Sequence, residues 1–265
     1  MKEVGLEEIK RIQLEILDSV HEFCKMNGLH YSLCGGTLLG AVKHKGYVPY
    51  DDDIDIMMPR KDYEKFIAEY SDEKNFVMRM RESDSCRELH SKVGRKGTKL
   101  IDPLLGREVF NIFIDVCPVD GAPEDRKAYS DKIIKKLSLV PRICAFYKVV
   151  PTNKAFWFLK YVVKRVTCGY RHNLVILKKE IRDMLCKYDL ETSPFAGELV
   201  ICRNENDMID AKVFMEYSEY EFEGRKYMGI CDYDTYLKMK YSYLGDYMNL
   251  PPLQKPLHEY VAYIE

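Results

Sequence analysis

The chain has 265 residues, of which 46% are hydrophobic and 31% are charged, and its formal net charge is −1. Such a length and composition can fill one large or two small hydrophobic cores, so we expect a globular protein. The N-terminal segment MKEVGLEEIKRIQ lacks the apolar stretch of a signal peptide. The longest apolar run, residues 155–163, is interrupted by Lys160 and is shorter than the roughly 20 residues of a spanning helix. We therefore expect a cytoplasmic protein without a transmembrane segment.

The placement of charges and cysteines limits the class of protein further. Between Arg126 and Lys187 there are 16 Lys and Arg residues and 3 acids, a net charge of +13, while the remaining residues carry −14. This basic segment is expected to face an anion. The nine cysteines are scattered without a C-x-x-C pair. Their placement favours reduced, mostly buried thiols over a disulfide framework or a zinc site.

The first predicted elements surround a pair of glycines. An amphipathic helix is predicted over residues 6–26, because apolar residues recur every three or four positions before an Asn-Gly pair. Residues 30–34 alternate like a short strand and end in Gly35-Gly36. Thr37 is then expected to cap a second helix over residues 38–45.

A third helix and a buried strand are predicted next. Behind Pro59, apolar residues spaced at i, i+3, i+4 and i+7 from Tyr63 to Tyr70 predict a helix. The run VFNIFIDVC, residues 109–117, is typical of a buried strand. Residues 118–123 are expected to form the turn that ends this strand.

The second half of the chain is predicted to be helical first and then mixed. Apolar residues among the lysines of residues 126–187 have helical spacing. The stretch YEFEGRKYM predicts two short strands around Glu223-Gly224, and Asp232 is placed to begin a helix over DYDTYLKMKY. The closing GDYMNLPPLQKPLHEY is expected to be an irregular tail that packs onto the rest of the protein.

The acidic stretch YVPYDDDIDIMM, residues 47–58, contains the first candidate site. If Ile54 and Ile56 point inward from a strand, a period of two places Asp53 and Asp55 together on the opposite face. Two adjacent carboxylates repel each other unless a cation lies between them, and their oxygens suit Mg2+ or Mn2+. A solvated acidic turn is the alternative interpretation.

Three further acids belong to the same hypothesis. Asp51 and Asp52 are expected to shape the loop or to support the metal ligands from behind, because Asp52 has the wrong parity to join the pair. Asp115 lies within the strand-like run NIFIDVC, where an unpaired carboxylate is unfavourable. We expect it to complete the metal site or to take the proton from an attacking hydroxyl. The alternative is a structural acid paired with Arg95 or Lys92.

Gly35, Gly36 and Thr37 lie between a predicted strand and a predicted helix. Backbone N–H groups at such a helix N-terminus can hold phosphate, so these three are candidate nucleotide-binding residues. The loop is not a Walker P-loop, since Ala41 follows Gly40 where that motif requires Lys.

Three stretches of the sequence resemble the LicD family of phosphotransferases, a branch of the nucleotidyltransferase fold. They are LCGGTLLGAVKHKGYVPYDDDIDIMMPRKDYEKF, FIDVCPVDGAP and YLGDYMNLPP. The resemblance implies a metal site on Asp53 and Asp55 with Asp115 as the third acid. It also implies transfer of phosphocholine, or a related alditol phosphate, from a CDP-linked donor to a sugar hydroxyl of a cell-surface glycan such as lipopolysaccharide or teichoic acid.

The elements and the resemblance together predict an α/β (α+β) protein with a nucleotidyltransferase-like mixed β sheet flanked by helices. A catalytic core is expected over residues 1–125 and a basic helical segment over residues 126–195. Residues 196–265 are expected to form a small hairpin, a helix and a tail rich in Tyr and Pro that pack on the core.

In the predicted reaction, Mg2+ or Mn2+ on the aspartates bridges the pyrophosphate of CDP-choline or another CDP-linked donor, and CMP is released. Lys43, His44 and Lys45 are candidates to add positive charge near the pyrophosphate, with a solvated helix face as the alternative. If the cargo is choline, aromatic faces are candidates to hold its quaternary ammonium. Those considered are Tyr241, Tyr243 and Tyr247.

Other functions and partners stay open at this point. A nucleotidyltransferase that moves a nucleoside monophosphate from a triphosphate to a small molecule would use the same metal site. A non-catalytic glycan- or nucleotide-binding module is disfavoured because all three acids are present. The basic segment is expected to contact anionic lipid, or a lipid-linked glycan acceptor at the inner membrane face, rather than nucleic acid, with a solvated helical face as the alternative.

Overall fold

The computed structural model describes residues 1–49, 51–78, 88–102, 107–141, 159, 162–163, 174–250 and 260–265. Its main helices are α1 (Leu6–Asn27), α2 (Gly35–His44), α3 (Arg60–Glu69), α4 (Arg126–Leu137), α5 (Leu174–Leu185) and α6 (Tyr233–Tyr241). Its strands are β1 (Lys2–Val4), β2 (Ser32–Leu33), β3 (Asp55–Pro59), β4 (Asn75–Met78), β5 (Ser91–Arg95), β6 (Thr98–Asp102), β7 (Arg107–Phe110), β8 (Phe113–Ala122), β9 (Phe195–Gly197), β10 (Ile209–Asp210), β11 (Tyr217–Phe222), β12 (Arg225–Ile230) and β13 (Val261–Ile264).

The central sheet is built around β8. Strand β3 runs parallel to β8 with Asp55 opposite Asp115, and β5 runs antiparallel along the other edge with Lys92 opposite Asp115. Strand β2 extends the sheet beyond β3, β4 extends it beyond β5, and β9 and β10 continue it from the end of β8. The predicted α/β (α+β) class, a mixed sheet flanked by helices, is confirmed.

Helices α1 and α3 form the predicted amphipathic pair. Their apolar positions lie in the main hydrophobic core, where Ile16 and Phe66 are fully buried. Phe23 of α1 makes edge-on contacts with the rings of Phe66 and Tyr70. Burying one such side chain completely contributes about 1.5–3 kcal/mol. Helix α1 ends as predicted, because Gly28 adopts the left-handed conformation with φ 62°.

The second helix begins three residues earlier than predicted. Helix α2 starts at Gly35 after the extended residue Cys34, and the side chain of Thr37 does not cap it. The Thr37 hydroxyl instead accepts a hydrogen bond from the backbone N–H of Asp55 at 2.9 Å. The predicted N-cap was therefore wrong, because a long-range contact uses the hydroxyl.

The predicted strand over residues 109–117 is two strands with a break. Strand β7 ends at Phe110, and Ile112 donates its backbone N–H to the Thr98 hydroxyl at 2.9 Å before β8 begins. The turn predicted over residues 118–123 was also wrong, since β8 continues to Ala122. Strand β3 pairs with β8 through Val119, and β9 pairs with its last three residues, so partners that are distant in sequence keep the segment extended.

The C-terminal region confirms the predicted hairpin and helix and adds an unpredicted strand. Strands β11 and β12 pair across Glu223 and Gly224, both at positive φ. Asp232 caps α6 by accepting a hydrogen bond from the Thr235 N–H at 3.2 Å. Strand β13 pairs with β1 and β6 in a second antiparallel sheet of order β1-β13-β6-β7. Residues 251–259 of the predicted irregular tail lie outside the described residues.

Helices α4 and α5 confirm the helical pattern in the described part of the basic segment. They share a second hydrophobic cluster, which includes Ile133, Ile181 and Leu199. The rest of the segment, residues 142–158, 160–161 and 164–173, lies outside the description. The division at residues 125/126 and 195/196 stays a prediction. Among the described residues, no helix is both long enough and apolar enough to span a membrane.

The cysteines of the described chain are free thiols. Those at positions 24, 34, 117 and 202 are buried, and those at positions 186 and 231 are exposed. This distribution agrees with the predicted reduced and mostly buried thiols. Positions 86, 144 and 168 lie outside the described residues.

Candidate active site

Two parallel strands bring the predicted acids together. Asp55 is the first residue of β3, and its register partner on β8 is Asp115. Register partners on adjacent strands point to the same face of a sheet. The negative charges of Asp53 and Asp115 both act on Asp55. The structure therefore assembles Asp53, Asp55 and Asp115 at one point, although their sequence numbers span 62 positions.

The acidic loop before β3 contributes more carboxylates than predicted. Carboxylate oxygens of Asp51, Asp52 and Asp53 lie within 4.8 Å of one another. The parity argument that set Asp52 apart was wrong, because β3 begins only at Asp55 and residues 51–54 are not in the strand. Asp51 is buried, with 4% of its surface exposed.

A buried glutamine fixes this loop against α1 and β8. Gln13 donates from Nε2 to the backbone oxygen of Asp52 at 3.0 Å and to that of Phe113 at 3.3 Å. Its Oε1 accepts a hydrogen bond from the Tyr47 hydroxyl at 3.1 Å. The acids are thus held by a side chain that no local sequence pattern identifies.

The glycine pair lies directly against the carboxylates. A Cβ on Gly35 would lie 3.4 Å from Oδ2 of Asp55, and one on Gly36 would lie 2.6 Å from Oδ2 of Asp51. Gly35 also has φ +53°, a backbone conformation that residues other than Gly rarely adopt. Any larger residue at Gly36 would displace an acid. The N-terminus of α2, with its partial positive charge, therefore faces the acidic loop.

Burial and the repulsion between neighbouring carboxylates raise the pKa values of two of these acids, Asp51 and Asp55. Burial, followed by the charges of Asp53 and Asp115, raises the pKa of Asp55 well above its usual value. Burial also raises the pKa of Asp51 to about 6, against a hydrogen bond with Asp53 that lowers it. A bound cation would relieve this repulsion. Several carboxylate oxygens within a few ångströms are the donor set that Mg2+ and Mn2+ prefer, so these residues fit a divalent ion.

Asp115 is contacted by His90 and Lys92. Its Oδ1 lies 2.7 Å from Nε2 of His90 and also accepts a hydrogen bond from Nζ of the buried Lys92. Burial raises the pKa of Asp115, but the hydrogen bond from His90 and the charge of Lys92 outweigh it and hold the pKa below its usual value. The alternative pairing with Lys92 is therefore present. Arg95 instead pairs with Glu15 at 2.8 Å.

A buried ionic network supports the other side of the glycine pair. The Gly35 N–H donates to the Tyr236 hydroxyl at 3.1 Å, and that hydroxyl donates to Glu198 at 2.7 Å. Lys240 donates from Nζ to the same carboxylate at 2.6 Å, and its charge lowers the pKa of Asp55. Sequence analysis missed Glu198, Lys240 and His90. A hint for Lys240 was present in the sequence, because it follows Tyr236 by four positions and so lies on the same, buried face of α6.

The predicted basic cluster lies at the far end of α2. Lys43 and His44 are in its last turn and Lys45 follows it, about 12 Å or more along the axis from Gly35. Lys43 donates to the backbone oxygen of Leu250 at 3.3 Å, and Lys45 pairs with Glu221 at 3.1 Å. These contacts favour the solvated helix end, and the nucleotide-binding role stays a prediction.

The three tyrosines considered for choline do not share one environment. Tyr247 is buried and donates to Asp234 at 2.8 Å, whereas 67% of Tyr243 is exposed. Tyr241 packs against the main core, close enough for the charges of Asp51 and Asp55 to act on it.

Asp55 at the start of β3 and Asp115 near the start of the parallel strand β8, facing a glycine turn and a helix N-terminus, are the arrangement expected of a nucleotidyltransferase-type domain. Residues 28–103 match the family model described as LicD/FKTN/FKRP, nucleotidyltransferase domain. The lipopolysaccharide cholinephosphotransferase LicD of Haemophilus influenzae is 29% identical over 273 aligned residues that cover both chains completely. Residues 28–103 are thus similar to LicD-type nucleotidyltransferase domains, and the whole chain is similar to a LicD protein.

Shorter matches cover only part of the chain. An uncharacterized protein of Rickettsia typhi is 38% identical over 63 residues, 23% of this chain and 20% of that protein. An uncharacterized protein of Rickettsia prowazekii is 42% identical over 48 residues, 18% of each chain. These two similarities carry no functional information beyond the family.

Proposed function

We propose that this protein is a metal-dependent phosphotransferase that moves phosphocholine from CDP-choline to a sugar hydroxyl of a cell-surface glycan precursor and releases CMP. Transfer of a related alditol phosphate from another CDP-linked donor would be the same reaction with a different transferred group. The cholinephosphotransferase activity named for the Haemophilus relative, which aligns over its full length, supports this reaction class. The observation that carries the proposal is the convergence of Asp53, Asp55 and Asp115 beside the Gly35-Gly36 turn.

Asp53 and Asp55, with Asp51 beside them, would hold Mg2+ or Mn2+. Such an ion would supply neutralisation of the negative charge on the donor's diphosphate. The raised pKa values of Asp51 and Asp55 support this assignment, because both carboxylates gain from a nearby cation. Buried carboxylates this close to one another are unfavourable unless a cation is near, so a purely structural role does not account for them.

Asp115 has a different role in the proposed reaction. His90 and Lys92 keep it ionised, so it is a strong hydrogen-bond acceptor and a weak base. It accepts a hydrogen bond from the acceptor hydroxyl and orients the oxygen toward the phosphorus distal to the cytidine. As the new P–O bond forms, the bond to the bridging oxygen breaks and CMP leaves with the electron pair. The hydroxyl proton passes to solvent, because a loose phosphoryl-transfer transition state needs little general-base assistance.

Lys240 of α6 places a positive charge close enough to lower the pKa of Asp55. Glu198 and the Tyr236 hydroxyl hold the ammonium group and the Gly35 N–H in one hydrogen-bonded network. The network holds the N-terminus of α2 in place through the Gly35 N–H, and phosphate binding is proposed for the N–H groups of Gly36 and Thr37 in the same turn. Lys43, His44 and Lys45 lie at the other end of α2, and none of the steps above uses them.

A donor screen tests the proposal directly. Purified protein is incubated with Mg2+ and, separately, CDP-choline, CDP-ribitol, CDP-glycerol and CTP, with a sugar acceptor, and the products are separated by chromatography. We expect CMP from CDP-choline. Release of CMP only from CDP-ribitol or CDP-glycerol would show that the transferred group is an alditol phosphate rather than phosphocholine. Pyrophosphate from CTP would support the nucleotidyltransferase alternative, and binding of donor without any product would support a non-catalytic module.

Contact with an anionic membrane belongs to the same proposal. The basic segment, residues 126–187, has a net charge of +13. Large apolar side chains are exposed within it, among them Leu159 at 62% and Ile176 at 57%. Exposed apolar residues among lysines suit the interface of anionic lipid. Flotation with vesicles of anionic lipid should recover the protein at low salt but not at high salt, and recovery should fall for Ile176→Glu relative to the control Ile201→Glu. Equal recovery with purely zwitterionic vesicles would contradict membrane contact by charge.

A further inference from the structure

A cavity of about 280 Å3 opens beside the acidic loop. Its walls come from the first turn of α1, from β1 and β13, and from β8, and they include Asp52 and Asp53. The volume lies below the range of about 300–1,000 Å3 that is typical of whole-ligand pockets. The cavity therefore suits one head group of a substrate rather than a complete nucleotide.

The lining of this cavity combines carboxylates with apolar side chains. Glu3, Asp52 and Asp53 supply the charge, and most of the remaining wall is apolar, including Leu6, Leu100 and Phe113. Among the described residues, no Lys, Arg or His lines it. A phosphate or nucleotide would be repelled here.

Another cavity shows the opposite character. A space of about 430 Å3 between α3 and α5 is lined by Arg60, Lys178, Lys179 and Arg182 with Glu64 as its acid. The charge of the cavity beside the acidic loop is therefore a local property and not that of every concave surface of the protein. A group that fits it must be compact, positively charged and apolar on its outside.

We propose that this cavity receives the trimethylammonium head group of the transferred phosphocholine. The inference rests on the proposed function and names the subsite for its cargo. A quaternary ammonium carries its charge behind methyl groups, so it needs no hydrogen-bond acceptors, and it gains from both the apolar contact and the field of the carboxylates. Asp53 lines the cavity and also belongs to the candidate metal site, so a phosphate next to the metal leaves its choline end at the cavity.

Gly5 offers a way to fill the cavity with little disturbance of the fold. It lines the cavity as the N-cap of α1, its φ of −85° is accessible to any residue, and a Cβ placed there meets nothing within 4 Å. Gly5→Leu would add an isobutyl group at the wall of the cavity, while Gly5→Ala adds a single methyl group and serves as the smaller, matched substitution. Glu3→Gln removes one charge at an exposed position of β1.

The test measures KM for CDP-choline and the inhibition constant of CMP for each variant, with thermal unfolding as a check on the fold. Gly5→Leu should raise KM about tenfold or more and leave CMP inhibition within about twofold, because CMP lacks the head group. Gly5→Ala should raise KM less than Gly5→Leu does, because it adds a single methyl group, and Glu3→Gln should raise KM several-fold. An unchanged KM in both Gly5→Leu and Glu3→Gln, or an equal loss of CMP inhibition, would overturn the assignment.

The same variants separate this inference from the proposed function. If the wild type releases no CMP from any CDP-linked donor, the proposed function fails, and binding of phosphocholine is then followed by NMR titration. Binding to the wild type that weakens at least about tenfold in Gly5→Leu would support the cavity as a quaternary-ammonium site. Absence of binding to the wild type, or equal binding to both proteins, would overturn it. Release of CMP with unaffected Gly5→Leu kinetics would leave the function intact and place the head group elsewhere.

Discussion

A Cβ at Gly36 would lie 2.6 Å from Oδ2 of Asp51, a separation that real Cβ atoms essentially never show. The second residue of α2 must therefore lack a side chain for the acidic loop to lie where it does. Gly36 has an ordinary backbone conformation, unlike Gly35 with its φ of +53°. The need for glycine at this position is one of space, and it is set by a carboxylate of the candidate metal site.

Gly36→Ala should lower the affinity for Mg2+ or Mn2+ by about tenfold or more, because the new methyl group displaces the Asp51 carboxylate. Folding stability should change by less than about 1 kcal/mol, since alanine improves helix propensity by a similar amount. Isothermal calorimetry with each metal and thermal unfolding without metal measure the two effects.

The matched control for that variant is Gly40→Ala in the same helix. A Cβ there would lie 2.3 Å from the backbone oxygen of Gly46, away from the acids. Gly40→Ala should therefore destabilise the fold more than Gly36→Ala does, while its folded fraction binds metal like the wild type. A Gly36→Ala protein with wild-type metal affinity would contradict the proposed role of Asp51.

Asp55→Asn and Asp53→Asn should each lower phosphoryl transfer by at least about a hundredfold. The Asp55 variant should also fold at least as stably as the metal-free wild type at neutral pH, because burial and the charges of Asp53 and Asp115 make its carboxylate unfavourable. Added Mg2+ should raise the melting temperature of the wild type but not of Asp55→Asn. Turnover near the wild-type rate in either variant would count against the metal site.

The pH dependence of stability should report on Asp51. Its pKa rises from about 3.8 to about 6 in the folded protein. A raised carboxyl pKa favours the folded state below the unfolded value and loses that contribution as the pH rises through the folded value. The wild type should therefore lose stability relative to Asp51→Asn between about pH 4 and pH 6, by at most about 3 kcal/mol.

Chemical denaturation of both proteins across this range, without metal, measures that difference. Metal affinity of the wild type should rise over the same interval, because the cation competes with the proton for Asp51. Parallel stability curves for the wild type and Asp51→Asn would show that the carboxyl titrates alike in the folded and unfolded states.

Local periodicity predicted the elements whose contacts are close in sequence. It failed where residues distant in sequence determine where an element begins or ends. Helix α1, the β11–β12 hairpin and the Asp232 cap follow from spacing and turn residues within each segment. The start of α2 depends on Thr37 bonding to Asp55 rather than to its own helix. The length of β8 depends on β3 and β9, which lie far from it in sequence.

The candidate site divides in the same way. Asp53, Asp55 and Asp115 could be predicted, since carboxylates beside or within apolar runs need a partner and the family motif marks them. Glu198 reaches the site because the Tyr236 hydroxyl, 201 positions from Gly35, links it to α2. No window of sequence contains both ends of such a contact. His90 was equally invisible, because its role depends on the antiparallel pairing of β5 with β8.

Glu198 and Lys240 form a pair in which the carboxylate is buried and the ammonium group is partly buried. Lys240→Met should reduce the free energy of unfolding by about 3–5 kcal/mol, because it leaves the buried Glu198 carboxylate without its charged partner, and Glu198→Gln should cost less, because 20% of the Lys240 side chain is exposed. The double variant should lose less than the sum of the two, which a double-mutant cycle by chemical denaturation measures. Lys238→Met, which removes an exposed partner of Asp234 on the same helix, is the control and should cost less than about 1 kcal/mol.

Because Lys240 lowers the pKa of Asp55, Lys240→Met should also raise the pH at which the metal binds. Strict additivity of the two losses, with no change in the pH dependence of metal binding, would mean that the pair acts neither as a unit nor on the acids.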